Sequence, residues 1–139
     1  YLIKGERLPA GEMGVMHAYL NLSQLKTFCR SKGLTINEYL TACFIWSVYT
    51  ECLNRSASER PIRVAVPVNL RPYFDSITSK NFFVVVSVEF EPKHSEHSFE
   101  EICSTVKESL KAQLNKEHLE KLMSYNVSNQ KQLWARLAQ

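Results

Sequence analysis

Apolar and polar positions alternate most regularly between Ile62 and Phe90. Ile62, Val64, Val66 and Val68 recur at every second position, which places all four on one face of a pleated strand. The run from Phe82 to Phe90 is apolar on both faces at first and alternates only from Val86 onward. That pattern predicts an inner strand covered on both sides. The connection between the two strands, Asn69 to Asn81, is longer than a hairpin turn, and a loop of that length in a compact domain points to function or disorder. Its polar residues Asn69, Arg71, Ser79 and Asn81 fall at the two strand ends.

Elsewhere the pattern predicts helices and one further strand. Residues 1–13 carry Gly5, Pro9 and Gly11 without periodicity and read as an arm or linker. Gly14 to Leu22 alternates, with Val15, His17 and Tyr19 on one side and Met16, Ala18 and Leu20 on the other, so a strand is expected in which His17 is packed and hydrogen-bonded. Ser23 is the expected cap of a short helix with Leu25, Phe28 and Cys29 inward and Gly33 as its stop. Thr35-Ile36-Asn37-Glu38 spells a capping box. The helix it opens, Ile36 to about Leu53, is apolar nearly all round, which predicts burial between layers. Ser98-Phe99-Glu100-Glu101 spells a second box, opening a helix with Phe99, Ile102, Val106, Leu110 and Leu114 on one stripe. After a weak break near Asn115, Leu119, Leu122 and Met123 continue a helical pattern, and Leu133, Trp134 and Leu137 form an apolar patch at helical spacing. The expected class is α/β, in the order β-α-α-β-β-α-α, with residues 14–139 as a single domain.

Composition narrows the function classes. The chain of 139 residues is 45% hydrophobic, enough for one core. Its net charge of +3 is small and scattered, which argues against nucleic acid and against an anionic membrane surface. No apolar run approaches the length of a membrane span, and no basic-then-apolar leader precedes the first elements. Cys29, Cys43, Cys52 and Cys103 form no CxxC pair, and Cys29, Cys43 and Cys103 sit beside Phe28, Phe44 and Ile102 in helical patterns. Reduced thiols in a cytoplasmic protein are the expectation. None of the four glycines belongs to a phosphate loop or a dinucleotide fingerprint. Asp75 is the only aspartate, with no nucleophile elbow near it. His94 and His97 lie three apart in a polar segment that reads as solvated, so no metal site is expected. Glu100-Glu101 reads as charge complementing a helix dipole rather than as an acid/base pair.

One resemblance is specific. Val66-Pro67-Val68-Asn69-Leu70-Arg71, followed by Ser79-Lys80-Asn81-Phe82-Phe83, resembles the second half of the chloramphenicol acetyltransferase-like superfamily. Peptide-synthetase condensation domains and alcohol acetyltransferase-like proteins belong to it. There a strand ending in a PVNxR-type segment leads, after a loop, through a GN or RNF turn into another core strand. The flanking helical segments fit the alcohol acetyltransferase-like branch, over about Gly14 to Trp134. Lys80 stands where the family usually has glycine.

The resemblance implies acyl transfer from acyl-CoA, a co-substrate of the parent protein, to a small alcohol or amine. A histidine in a His-His-x-x-x-Asp motif would be the general base. These residues contain no adjacent histidines, and no histidine lies four positions before Asp75. The chain is therefore expected to be the C-terminal part of a longer acyltransferase, with no catalytic residue of its own. A non-catalytic binding or docking module that keeps the fold is the alternative. Arg71 corresponds to the arginine that supports the catalytic loop by pairing with the motif's aspartate, while Asn69, Ser79, Asn81 and Tyr73 would line the site. Pro72 is expected to hold Arg71 extended. Without the aspartate, its guanidinium should be partly solvated, or bonded to Asp75 or a backbone carbonyl. A cut sheet would also leave strand edges open to self-association, through Gly14 to Leu22 or the arm.

Overall fold

A computed structural model of the chain describes residues 8–137, with side chains described through residue 128. The elements run α1 (Leu22–Ser31), α2 (Ile36–Ser47) with a π-helical turn over Val48–Cys52, β1 (Ile62–Asn69), the single turn α3 (Arg71–Phe74), β2 (Phe83–Phe90), α4 (Phe99–Gln113) and α5 (Lys116–Leu137). The mixed α/β class is as expected. Among the described residues the order differs before α1, where no strand forms, and in the long loop, where a turn of helix does.

Local signals explain the helices. Asn21 caps α1 by accepting the Gln24 N–H at 3.0 Å, so the cap lies two residues before Ser23. The helix stops at Gly33, whose φ of +67° lets Gly33 N–H reach Arg30 O and Leu34 N–H reach Cys29 O, both at 2.9 Å. The Thr35 box is complete: Glu38 N–H donates to Thr35 Oγ1 at 3.2 Å and Thr35 N–H to Glu38 Oε2 at 2.6 Å. In α4 the stripe Ile102, Val106 and Leu110 is buried as its spacing predicts. Asn115 separates α4 from α5, donating to Ala112 O at 2.8 Å and accepting the His118 N–H at 2.9 Å. Leu133, Trp134 and Leu137 lie outside the described side chains, as does the arm before Leu8 outside the described residues.

β1 and β2 pair antiparallel as a two-stranded sheet. The Leu70 N–H to Phe82 O bond, 3.1 Å, and the Arg63–Glu89 ion pair, 2.8 Å, share one register. Ile62, Val66, Val68, Val84, Val86, Val88 and Phe90 are buried on the same face. In this register the missing N–H of Pro67 falls on the outer edge, where it removes no ladder bond.

Five expectations need correcting. Gly14 to Asn21 has no regular secondary structure and joins no sheet among the described residues, Leu22 already belongs to α1, and Met16 and Tyr19 are 98% and 94% exposed. Alternation supplies a face to bury, not a partner to bury it against. His17, on the same segment, is exposed rather than packed. β2 is covered on one face only, since Phe83 and Val85 are exposed. Likewise α2 is buried on one side at Thr41, Ala42 and Ile45 while Leu40 and Phe44, one turn apart, are bare. Finally, His97 is buried rather than solvated.

The described contacts gather into two compact units. One comprises residues up to Arg63 with Glu89–Lys107; the other comprises Val64–Val88 with residues from Glu108 onward.

Candidate functional site

In the second unit the segment between the strands is built around Arg71. Asn69, at the end of β1, accepts the Arg71 backbone N–H on its side-chain oxygen at 3.2 Å, the Asx device that turns a chain out of a strand. Leu70 O then accepts the Tyr73 N–H at 3.0 Å, and α3 makes its single turn. Pro72 fits there because the N–H groups of a first helical turn have no intrahelical partner. This turn, rather than an extended backbone, is the conformation of Arg71. Asp75 ends it in the left-handed region at φ 47°, which aspartate tolerates better than most side chains. Ser76 and Thr78 hydroxyls then accept the N–H groups of Thr78 and Lys80 at 3.3 and 3.2 Å.

The Arg71 guanidinium locks the loop. Its Nε–H donates to Thr78 O at 2.9 Å, an Nη2–H to Lys80 O at 2.6 Å, and an Nη1–H to Asn69 Oδ1 at 3.1 Å. One planar group thereby fixes three points of the chain, which a lysine could not do. Its partners are backbone carbonyls and an amide, and Asp75 is not among them. A guanidinium has five N–H donors, so one on each terminal nitrogen remains for an incoming carboxylate. Lys80 is not among the residues with positive φ, so its position does not require the glycine usual there. Ser79 and Asn81 are exposed on the same loop, and Tyr73 is half-buried on α3. Phe74 anchors the turn, edge-on to Phe82 with centroids 6.2 Å apart and under Lys116 Nζ at 5.6 Å.

The first unit holds a cavity of about 430 Å³ that sequence reasoning missed. Phe28, Leu34, Tyr39 and Phe99 wall it, with Lys32, Glu100 and Lys107 at its rim and Cys103 facing in. Phe28–Tyr39 and Tyr39–Phe99 meet edge-to-face at 5.4 and 5.9 Å. Lys107 Nζ donates to Gly33 O at 2.9 Å, tying α4 to the turn after α1. A hydrogen bond with Cys43, then burial, raises Tyr39 above the usual phenol range; burial, then the neighbouring Cys43, raises Cys103. Both therefore stay protonated at neutral pH, and the lining is suited to holding a small apolar group rather than attacking one. Its walls come from three separate segments, and only the aromatic residues on each could have hinted at it.

No helix among the described residues is long and apolar enough to cross a membrane. No curated protein and no solved structure matches the chain. The family model described as alcohol acetyltransferase matches residues 16–139, and so takes in α1, the Arg71 loop and both strands. The chain belongs to the alcohol acetyltransferase family.

Proposed function

We propose that the chain is the C-terminal portion of an acyl-CoA-dependent O-acyltransferase, with the general base supplied by a His-His-x-x-x-Asp segment outside these residues. The observation that carries this reading is the Arg71 network. A guanidinium held by Thr78, Lys80 and Asn69 still offers N–H groups to a carboxylate, as the supporting arginine of such a loop must. Arg71 is thus a positioning residue, and Asn69 sets its fork. Ser79, Asn81 and Tyr73 line the same loop and would face the acceptor, a small alcohol or amine. Acyl-CoA is the proposed co-substrate and the cytoplasm the proposed location. The exposed strand edges are proposed to support self-association.

An acyl-transfer assay with acetyl-CoA and a panel of alcohols tests the proposal. The 139-residue chain should be silent. In the longer parent, Arg71→Ala should lower kcat by about 10²-fold with a smaller change in KM for the donor, an effect expected when a group that positions the base is displaced. Arg71→Lys should rescue poorly. Wild-type turnover in the Arg71→Ala parent would remove Arg71 from the site, and turnover by the 139-residue chain would overturn the fragment reading. A parent inactive toward every donor would favour the binding-module alternative.

A further inference from the structure

The structure assigns a candidate site for a divalent transition-metal ion to His94, His97 and Glu101 in the first unit, a site independent of the acyl-transfer reading. The ligand atoms of these three residues lie within 4.8 Å of one another. The His97 side chain is only 3% exposed, and its Nδ1 stands 2.8 Å from Glu101 Oε1. Ligand atoms around a tetrahedral ion bound at about 2.1 Å stand about 3.4 Å apart, so the pair need open by only about 0.6 Å to share one. Two imidazoles and one carboxylate suit zinc, cobalt or nickel rather than calcium or magnesium, which prefer oxygen throughout.

The cluster is built from both ends. Glu101 occupies the position where a capping box would turn its carboxylate back to Ser98 N–H. Ser98 does its half, its Oγ accepting the Glu101 N–H at 3.1 Å, but the Glu101 carboxylate meets His97 instead. His97 is fixed in place by Phe90 and Tyr49, whose rings meet it edge-on with centroids 5.0 and 5.7 Å away, and by its own N–H donating to Tyr49 Oη at 3.3 Å. His94 stacks on its outer side at 3.7 Å. His94 N–H donates to His97 Nε2 at 3.4 Å, so the neutral ring carries its proton on Nδ1, toward Glu101. With Nδ1 ligating, the ring proton would sit on Nε2; the Nδ1–H bond to Glu101 would give way to shared ligation of the ion, and the long His94 N–H contact would be given up. His94 must turn from its stacked position to aim a ring nitrogen at the ion. Its side chain is exposed, so rotation meets little resistance. Glu89 and Glu91 line a surface pocket together with His94, His97 and Glu101 and add negative potential there, though Arg63 and Lys93 pair with them at 2.8 Å.

Calorimetric titration of the chelator-treated protein with zinc chloride, paired with cobalt(II) absorption, tests the site. One ion per chain should bind, and cobalt should show ligand-field bands without the thiolate charge-transfer band that cysteine ligation produces. His94→Ala and Glu101→Gln should each weaken binding by about tenfold or more, since even outer-shell partners of metal ligands are worth that much. Gln keeps a hydrogen-bond acceptor for His97, and circular dichroism would verify that each variant is folded. His17→Ala, on the exposed segment, should change nothing. Unaltered affinity in both His94→Ala and Glu101→Gln, a thiolate band with cobalt, or no heat with zinc would overturn the assignment.

Discussion

Cys103 shows how burial sets reactivity at the scale of one residue. Its thiol faces the cavity, and desolvation raises its pKa with Cys43 and Glu100 acting in the same direction. Because the folded value exceeds the unfolded one, the contribution to stability is present below the ordinary thiol range and is lost as pH rises through the folded value. Tyr39 is shifted in the same direction. Iodoacetamide labelling followed by peptide mapping should therefore show Cys103 reacting with a midpoint at higher pH than in the urea-denatured chain. Coincident midpoints would mean the thiol is not desolvated. A buried thiol was legible in the sequence because Ile102 and Val106 mark the inward face of its helix. His97 was not: its neighbours in sequence are polar, and the rings that bury it, Tyr49 and Phe90, come from distant elements. Arg71 was legible as a residue needing a local partner, but not as part of a helical turn, because the preference of a pre-proline residue yielded to the Asx turn at Asn69.

At the scale of elements, side-chain signals that act within four residues were readable. The Thr35–Glu38 box, the Gly33 stop and the Ile102–Val106–Leu110 stripe all appear where spacing puts them. Thr35→Ala leaves the Glu38 N–H without its acceptor and should destabilise the protein by about 1 kcal/mol, read as a lower urea midpoint at unchanged slope. A slope change would instead indicate that α2 melts separately. What the sequence could not supply was coverage. The apolar residues of α2 point all round, yet Leu40 and Phe44 are bare, since periodicity reports which face is apolar and not whether another element reaches it. Gly14 to Leu22 fails as a strand for the same reason: its ladder needs a neighbour that no local signal can specify.

At the scale of the whole molecule, the hairpin leaves strand backbone and an apolar face uncovered. Phe83 and Val85 are exposed on the face opposite the core. A two-stranded sheet is marginal alone and recruits further strands unless its edges are blunted. Each edge is blunted at one point. Pro67 denies β1 an outward N–H, and Gln113 Nε2 donates to Ser87 O at 2.9 Å, occupying a carbonyl of β2. The remaining outward groups of β2 can accept another strand. The exposed Gly14 to Asn21 segment of a second copy has the length and alternation to provide one. Association between copies should thus be visible by light scattering as mass rising with concentration through the micromolar range. Val85→Lys places a charge on the uncovered face and should shift the protein toward monomer. Gln113→Ala releases the Ser87 carbonyl and should shift it toward larger species, with stability changed little because the glutamine is half-buried. A mass fixed at the monomer at high micromolar concentration, for the wild type and for Gln113→Ala alike, would show that the β2 edge does not recruit a strand.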